Sequence, residues 1–375
     1  MPVAVTVATD AAGRESLVIV VKGTFELPGN GGRVRLGEEQ IPLVMADTFT
    51  GAPALSAPAL EADFAPRKPS CDVLLTGAAY APAGRPASRV AVGLRVGTWQ
   101  KTFAVVGDRV WQAGTGGISA ATPKPFEVKA ISYDGAFGGA DVRHDDPALH
   151  AWFPRNPVGK GFHRHLRAKW IDGAPMPDTE SLDQPVASPD GDYEPMAFGP
   201  VGRGWEPRIR YAGTYDQRWL DEFFPHLPPD FDDRYHQAAP ADQQIPLPFV
   251  GGGVVLVNLT PDGRRSFDLP AFDAPVHAFL KSGVQHDLQA TLDTLWFEPD
   301  KERFTMTWRA SLRLIRDIFE IRQVVVGRQS PMWWQGRHQT AFPLPVLMVP
   351  VGPDELAVNS GAIAASEAGT DGAAA

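Results

Sequence analysis

An unusual abundance of glycine and proline limits the fold of this chain more than any other sequence feature. The chain has 375 residues, of which 37 are glycine and 36 are proline, against a usual combined share of about 12%. Proline removes a backbone donor and breaks helix interiors, while glycine weakens both helices and strands. Long helices are therefore not expected, and the chain must be divided into short strands and long connections.

This composition predicts a mainly β protein. We expect antiparallel sheets, in a sandwich or an open barrel-like arrangement, with long ordered loops and one or two short helices. A chain of this length can bury a large core. The hydrophobic fraction of 43% and the charged fraction of 21% are those of a globular protein and exclude disorder of the whole chain.

Alternating apolar residues mark the N-terminal strands. In residues 17–27, apolar side chains face polar Lys22, Thr24 and Glu26, which is typical of a half-buried strand. The same alternation at residues 90–96 is followed by short apolar runs at 103–106 and 110–111. These runs, separated by glycine-containing breaks, predict antiparallel hairpins.

The most regular alternation lies near the C-terminal end, at residues 303–310. Its expected partner is the apolar run 292–297, because the intervening Pro299-Asp300-Lys301 suits a turn. After this hairpin, Leu312, Ile315 and Phe319 have helical spacing, with Arg316 and Glu320 placed for an ion pair. Residues 321–326 fit a strand.

The sequence divides into four parts by pattern. Residues 1–122 form an N-terminal β-rich part, and 250–353 form a C-terminal β-rich part expected to pack with the first. Residues 123–249 are loop-rich but contain many aromatic residues, which predicts ordered irregular structure rather than a linker. Residues 354–375 consist mainly of alanine, glycine, serine and acidic residues, and predict a disordered tail.

One short helix is expected inside the loop-rich part, near residues 216–224. Asp216 suits its N-cap and Pro225 ends it. Its apolar face, which we expect to pack onto a sheet, consists of Trp219, Leu220, Phe223 and Phe224.

Charge and cysteine content restrict the partners and the compartment. A net charge of −9 argues against nucleic acid or an anionic membrane as the main partner. The single cysteine, Cys71, excludes an intramolecular disulfide and a multi-cysteine metal site, and burial as a small apolar residue is expected for it.

The N-terminus lacks the features of a secretory signal, and no uncharged apolar run approaches the roughly 20 residues of a membrane helix. A cytoplasmic location is the expectation.

A histidine-rich segment supplies the strongest hypothesis for catalysis. Imidazole and carboxylate groups bind transition metals, so this segment suggests a metal-assisted hydrolase or modifying enzyme. Its spacing matches no known metal motif, however, and neighbouring arginine and lysine residues would repel a cation. The candidate ligands are His144, Asp146, His150, His163 and His165.

The remaining catalytic motifs are missing from the sequence. There is no nucleophile elbow, dinucleotide fingerprint, phosphate loop or complete calcium loop. We therefore expect neither an enzyme nor a cofactor.

Aromatic and arginine residues in the loop-rich part instead fit a protein-binding surface, since both types supply much contact energy at interfaces. The same residue types could bind single-stranded nucleic acid, but the net negative charge disfavours that alternative. The candidate protein-binding residues are Tyr133, Phe137, Arg155, Phe162, Arg164, Trp205, Arg208, Tyr215 and Trp219.

Several longer strings resemble one known family. They include Lys22-Gly-Thr-Phe25, Ser132-Tyr-Asp-Gly-Ala-Phe-Gly-Gly139, Asn156-Pro-Val-Gly-Lys-Gly-Phe162, Phe198-Gly-Pro200, Gly213-Thr-Tyr-Asp216, Asp230-Phe-Asp232, Ala239-Pro-Ala-Asp-Gln243 and Trp308-Arg309. In this order they resemble domain-of-unknown-function family twenty-one sixty-nine, from about residue 16 to about residue 310. The glycines in these strings also suit tight backbone contacts.

The resemblance implies a role in type VI secretion. Proteins of this family are typically encoded beside the spike proteins and their toxins, which implies an effector chaperone or adaptor. Such an adaptor would bind its toxin in the cytoplasm and promote loading onto the valine-glycine repeat (VgrG) spike, and the family supplies no catalytic residues. A structural component carried by the spike is a further alternative, and the sequence leaves the oligomeric state open.

Overall fold

The computed structural model describes residues 1–10, 12–336 and 347–348, and most of its regular structure is β-strand. The strands of the N-terminal part are β1 (Val3–Thr9), β2 (Glu15–Glu26), β3 (Thr48–Phe49), β4 (Pro58–Leu60), β5 (Ser70–Leu75), β6 (Gly77–Tyr80), β7 (Arg89–Val96), β8 (Trp99–Val106), β9 (Trp111–Gly114) and β10 (Gly117–Ala120).

The loop-rich middle contains only short elements. Its strands are β11 (Val128–Ile131), β12 (Phe137–Gly138), β13 (Ala140–Asp141), β14 (Ala151–Trp152), β15 (Lys160–Gly161), β16 (Thr179–Glu180) and β17 (Gln244–Pro246). Its helices are α1 (Ala168–Ile171), α2 (Glu206–Ile209) and α3 (Gln217–Glu222).

Longer strands return in the C-terminal part. They are β18 (Gly253–Val257), β19 (Arg264–Asp268), β20 (Pro275–Leu280), β21 (Gln285–Gln289), β22 (Thr291–Glu298), β23 (Arg303–Arg313), β24 (Ile321–Val326) and β25 (Leu347–Met348), with helix α4 (Pro331–Gly336).

The largest sheet joins the two ends of the described chain. It has six strands in the order β1-β2-β23-β22-β5-β17, and only the β22–β5 pair is parallel. The predicted hairpin is confirmed, because β22 and β23 pair antiparallel through a 3₁₀ turn at Pro299–Lys301. Strand β2 lies beside β23, so the N-terminal and C-terminal β-rich parts share this sheet.

The strand predicted from the alternation at residues 17–27 is confirmed as β2, but the prediction that only one face of this strand is buried is wrong. Most of the polar face is covered as well: Lys22 and Thr24 are only 6% and 3% exposed, and only Glu26 at the end of the strand is exposed. The connection between β2 and β5 lies on that face. There the Lys22 ammonium contacts Asp63 at 2.8 Å, and Gln40 exchanges hydrogen bonds with the Thr24 backbone. Polar partners from a distant loop therefore satisfy the side chains that the sequence assigns to solvent.

The second sheet has five antiparallel strands in the order β16-β8-β7-β18-β19. The hairpin predicted for residues 90–106 is confirmed by the pairing of β7 with β8. The short run at 110–111 does not extend this hairpin, however. Trp111 begins β9, which pairs with β10 in a separate two-stranded ribbon.

The third sheet has the order β21-β20-β24-β25. Strand β24 confirms the strand predicted at 321–326, whereas the helix suggested for Leu312, Ile315 and Phe319 is wrong. Strand β23 runs on to Arg313, because β2 supplies hydrogen-bond partners along its length. A 3₁₀ turn at Ile318–Glu320 follows, and the Glu320 carboxylate accepts a hydrogen bond from the Arg316 backbone N–H.

One hydrophobic core connects the three sheets. Its members include Ile19 of β2, Val92 of β7 and Val276 of β20. The mainly β class is confirmed, and no sheet in the described part of the chain closes into a barrel. There are four short α-helices in these residues rather than one or two, and none is long and apolar enough to cross a membrane. The tail predicted at 354–375 lies outside the described residues.

Candidate functional site

Buried aromatic residues hold the loop-rich part together. Phe137 lies edge-on to Phe153 and Tyr193, with ring centroids 5.1 Å and 4.9 Å away. Phe162 packs against the same cluster, which also contains Trp111. This second core explains why a region with little regular structure is ordered.

Close backbone contacts stabilise the same loops. The buried Asn156 amide donates to the Tyr133 carbonyl at 2.8 Å and to the Phe137 carbonyl at 3.1 Å. Gly138 has φ +149°, and a Cβ atom there would lie 2.1 Å from the Asn156 carbonyl oxygen. The tight contact expected for this glycine is therefore confirmed, and no other residue fits.

An open cleft of about 800 Å³ lies in this loop-rich part. Its apolar surface includes Tyr133, Phe153 and Val201, and several prolines contribute to its walls. Its charged side chains form two groups, one joined by ion pairs around Glu194 and one stacked around Tyr211. We call the part around Asp192, Glu194 and Asp242 the acidic end, and the part around Arg210, Tyr211 and Arg234 the aromatic end.

The acidic end contains three carboxylates and two nearby cations. Arg155 donates to Glu194 at 2.9 Å and also contacts Asp192. The Lys101 ammonium lies 2.8 Å from Asp242. Burial raises the pKa of Glu194, and the Asp242 and Asp192 charges raise it further, although Arg155 and Lys101 oppose them. Burial and the two neighbouring carboxylates thus make the ionised form of Glu194 less favourable than it is in water.

Lys101 is held rigidly beside the acidic end. It lies on β8 with its side chain only 5% exposed, and its ammonium also donates to the Gln243 side chain at 2.7 Å. Gln243 in turn donates to the Val73 and Phe198 carbonyls. Burial lowers the pKa of Lys101, although Asp242 opposes that shift. These contacts fix the position of Asp242 at the mouth of the cleft.

The aromatic end is neutral by comparison. The guanidinium groups of Arg234 and Arg210 lie over the Tyr211 ring, 4.2 Å and 5.0 Å from its centroid. Each arginine also has a carboxylate partner, Asp232 for Arg234 and Glu206 for Arg210. A ligand at this end would meet stacked planar groups, because both arginine charges are already paired with carboxylates.

Four of the predicted binding residues lie in the interior. Tyr133, Phe137, Trp205 and Arg208 are 3%, 1%, 8% and 2% exposed. Tyr133 and Trp205 pack edge-on with centroids 5.5 Å apart, and burial raises the pKa of the Tyr133 phenol well above its ordinary value. The aromatic and guanidinium groups of these four residues make contacts inside the protein. They therefore stabilise the loops around the cleft and present little surface to a partner.

The remaining predicted residues are spread over the surface. Arg155 is in the cleft wall, while Phe162 is half-buried on the second core. Arg164 is exposed, and so is Tyr215, which precedes α3. The structure therefore brings only Arg155 and the buried Tyr133 and Arg208 to the cleft.

Helix α3 forms where expected, and the Asp216 carboxylate accepts the Trp219 N–H at 2.9 Å as its cap. The expected packing onto a sheet is wrong, because none of the six helix residues is buried. The aromatic rings pack on one another instead, with Trp219 4.8 Å from Tyr215 and 5.6 Å from Phe224. We call Tyr215, Trp219, Leu220 and Phe224 the α3 ridge; Tyr215, Leu220 and Phe224 are 52%, 53% and 64% exposed.

Residues 12–309 match the family described as "Uncharacterized protein conserved in bacteria (DUF2169)". The chain belongs to the DUF2169 family. The matched region contains the cleft, the α3 ridge and most of the three sheets. No curated protein and no solved structure shows significant similarity to the chain.

The histidine-rich segment of this DUF2169 protein is a hydrogen-bonded loop. The His150 and His165 rings bond the backbone carbonyls of His144 and Leu149, each at 2.9 Å. Burial and the Arg143 charge lower the pKa of His163. Among the described residues, no three histidine, cysteine, aspartate or glutamate side chains lie together as a metal site. The single cysteine, Cys71, is fully buried as expected, and burial raises its pKa.

Sequence reasoning missed most of the charged residues at the cleft. Asp242 lies in the string Ala239 to Gln243 and Arg234 follows Asp230-Phe-Asp232, so both were close to recognisable motifs. No motif or spacing near Lys101 or Glu194 in the sequence marked either residue as part of a binding site. They come from elements far apart in the chain, and only the fold places them near Asp242.

Proposed function

We propose that this DUF2169 protein is a non-catalytic adaptor. It binds a type VI secretion toxin in the cytoplasm and promotes the loading of that toxin onto the VgrG spike. The family resemblance suggests this role, and the cleft is the observation that carries the binding part of the proposal. Its open form suits a protein segment.

The chemistry of the cleft favours binding over reaction. The Lys101 amine donates to Asp242 and Gln243, and Arg155 is engaged by Glu194. These contacts hold the groups in fixed positions at the rim of a pocket with aromatic walls. Arginine and aromatic groups fixed in this way supply contact area and directed hydrogen bonds at low entropic cost.

The α3 ridge supplies a second contact surface. Three of its four side chains are more than half exposed, and they lie on or beside a helix that follows Tyr211 of the aromatic end by only a few residues. Large contiguous patches of exposed apolar side chains mark interaction sites on proteins. We propose that the toxin contacts both the cleft and the α3 ridge.

Co-expression tests this proposal. The tagged adaptor is produced with the toxin and the spike protein encoded beside it, and complexes are isolated by affinity purification and size exclusion. We expect a stable complex with the toxin, and loss of toxin secretion when the adaptor gene is deleted. Failure to form a complex with either protein contradicts the proposal. Recovery of the adaptor itself from the secreted fraction would instead favour a component carried by the spike.

A further inference from the structure

We infer that the acidic end of the cleft receives a lysine or arginine side chain from an extended segment of the bound toxin, with apolar residues flanking it. This inference rests on the proposed function and names the chemistry of the segment that the adaptor binds. It follows from the charge at the two ends, the nature of the walls and the size of the cleft.

The charge at the acidic end is unbalanced. Among the described residues, the ion pairs of Asp192, Glu194 and Asp242 are made with Arg155 and Lys101 alone, so three carboxylates meet two cations, an excess of one negative charge. Burial is the main cause of the raised pKa of Glu194, and the nearby Asp242 and Asp192 charges also disfavour its ionised form. A cation from a ligand would compensate this excess.

The aromatic end has no such excess. Arg210 and Arg234 are each paired with a carboxylate, at 3.3 Å from Glu206 and 2.5 Å from Asp232. A charged group of a ligand would therefore gain little binding free energy at the aromatic end. The difference between the two groups therefore selects for a cation at the acidic end.

Much of the remaining lining of the cleft is apolar. Pro154, Pro207 and Pro240 contribute to it together with the rings of Phe153 and Tyr133. Proline has no backbone N–H, so these three positions cannot donate backbone hydrogen bonds to a bound segment. The flanking residues of the segment are thus recognised by apolar side-chain contact.

The size of the cleft limits the ligand to a short segment. A volume of about 800 Å³ lies within the range of about 300–1,000 Å³ that holds a drug-sized molecule. It can accept a few residues in extended form and excludes a folded domain. Loop segments and chain ends of the toxin are the parts that can enter it.

The test uses the complete adaptor, the purified toxin and overlapping short peptides that cover the toxin sequence. Affinities are measured by calorimetry for the wild-type protein and for Glu194→Gln, which keeps the shape of the side chain and removes its charge. We expect the bound peptides to contain a lysine or arginine. Glu194→Gln should weaken toxin and peptide binding by about tenfold, and Glu194→Gln with Asp192→Asn should weaken it further.

Glu302→Gln is the matched control. The Glu302 side chain is 60% exposed and paired with Arg265, whereas Glu194 is 51% exposed and paired with Arg155. Both variants change the net charge by the same amount, but Glu302 follows the 3₁₀ turn between β22 and β23. We expect this control to bind the toxin as the wild-type protein does.

The specific contact is tested by changing both partners. A peptide whose lysine or arginine is replaced by glutamine should bind weakly and equally to the wild-type protein and to Glu194→Gln. Bound peptides without a basic residue, or Glu194→Gln that binds as tightly as the wild type, would overturn the inference while leaving the adaptor function intact. A wild-type protein that binds no toxin contradicts the adaptor function and this inference with it.

Discussion

Arg208 and Glu61 lie 147 residues apart in the sequence and form a bidentate ion pair in the interior, with N–O distances of 3.0 Å and 2.9 Å. The arginine also donates to the carbonyls of Val201 and Tyr235. One side chain thus connects α2 to the β4 region and to the segment before Gln237. The back of the cleft depends on this connection, because Arg208 and Val201 both line it.

Replacing Arg208 with methionine should strongly destabilise the protein. The change leaves Glu61 buried, with Arg203 as its remaining cation at 2.5 Å. Removing one partner of a buried ion pair costs about 3–5 kcal/mol of unfolding free energy when the other charge is left unpaired. Because Arg203 still contacts Glu61, we expect a loss toward the lower end of that range, measurable by urea denaturation. Arg218→Met removes an exposed pair with Glu222 on α3 and is the control, for which we expect little change. Equal stability of the two variants would contradict the structural role of Arg208.

Polar substitutions in the α3 ridge should reduce toxin binding without unfolding the protein. Leu220 and Phe224 are more than half exposed, so Leu220→Ser with Phe224→Ser should change the stability by less than about 1 kcal/mol. The same double variant should weaken the toxin complex by tenfold or more, about 1.4 kcal/mol. Met45→Ser, at a residue 76% exposed, is the control for a general loss of surface hydrophobicity. Unchanged toxin affinity would exclude the ridge from the interface.

Metal removal should leave the fold unchanged. His150 and His165 bond backbone carbonyls, so the loop has its own hydrogen bonds. We expect the melting temperature to be the same before and after dialysis against a chelator, and His150→Ala to lower it only slightly. Elemental analysis of the purified protein provides the decisive measurement. Stoichiometric zinc that disappears in His150→Ala or His163→Ala would support the hydrolase hypothesis instead.

Acid should destabilise the protein partly through His236. Burial lowers its pKa from 6.5 to about 4, and the charges of Arg203, Arg208 and Lys68 act in the same direction against the opposing Asp233. As the pH falls, the unfolded chain protonates His236 at a higher pH than the folded protein does. The contribution of neutral His236 to the free energy of unfolding is therefore fully present above pH 6.5. It is lost as the pH falls toward about 4, by roughly 2–3 kcal/mol.

Replacing His236 with glutamine removes this titration. The difference in urea midpoint between neutral and acidic solution should be smaller in His236→Gln than in the wild-type protein. His226→Gln, at an exposed histidine, is the control and should keep the wild-type difference. Identical pH dependence in all three proteins would show that His236 is not responsible.

Local signals in the sequence predicted several of the regular elements correctly. The alternation at 303–310, the turn at Pro299 and the cap at Asp216 all predicted elements that form. Each of these signals acts between near neighbours: strand periodicity, turn preference and capping depend on residues a few positions apart. The strings that resemble the DUF2169 family also indicated the correct family, because they lie within the matched residues 12–309.

Contacts between distant segments could not be predicted in this way. The sequence pattern predicted that Lys22 faces solvent, but Lys22 is buried and paired with Asp63. The pattern also predicted that the apolar face of α3 packs onto a sheet, but none of the helix residues is buried. The cleft is the clearest case, since Lys101, Glu194 and Asp242 come from three separate segments. The sequence alone determined a mainly β chain with an ordered aromatic middle. Only the tertiary structure decided which side chains face each other, because burial and charge pairing depend on distances in space and not on separation along the chain.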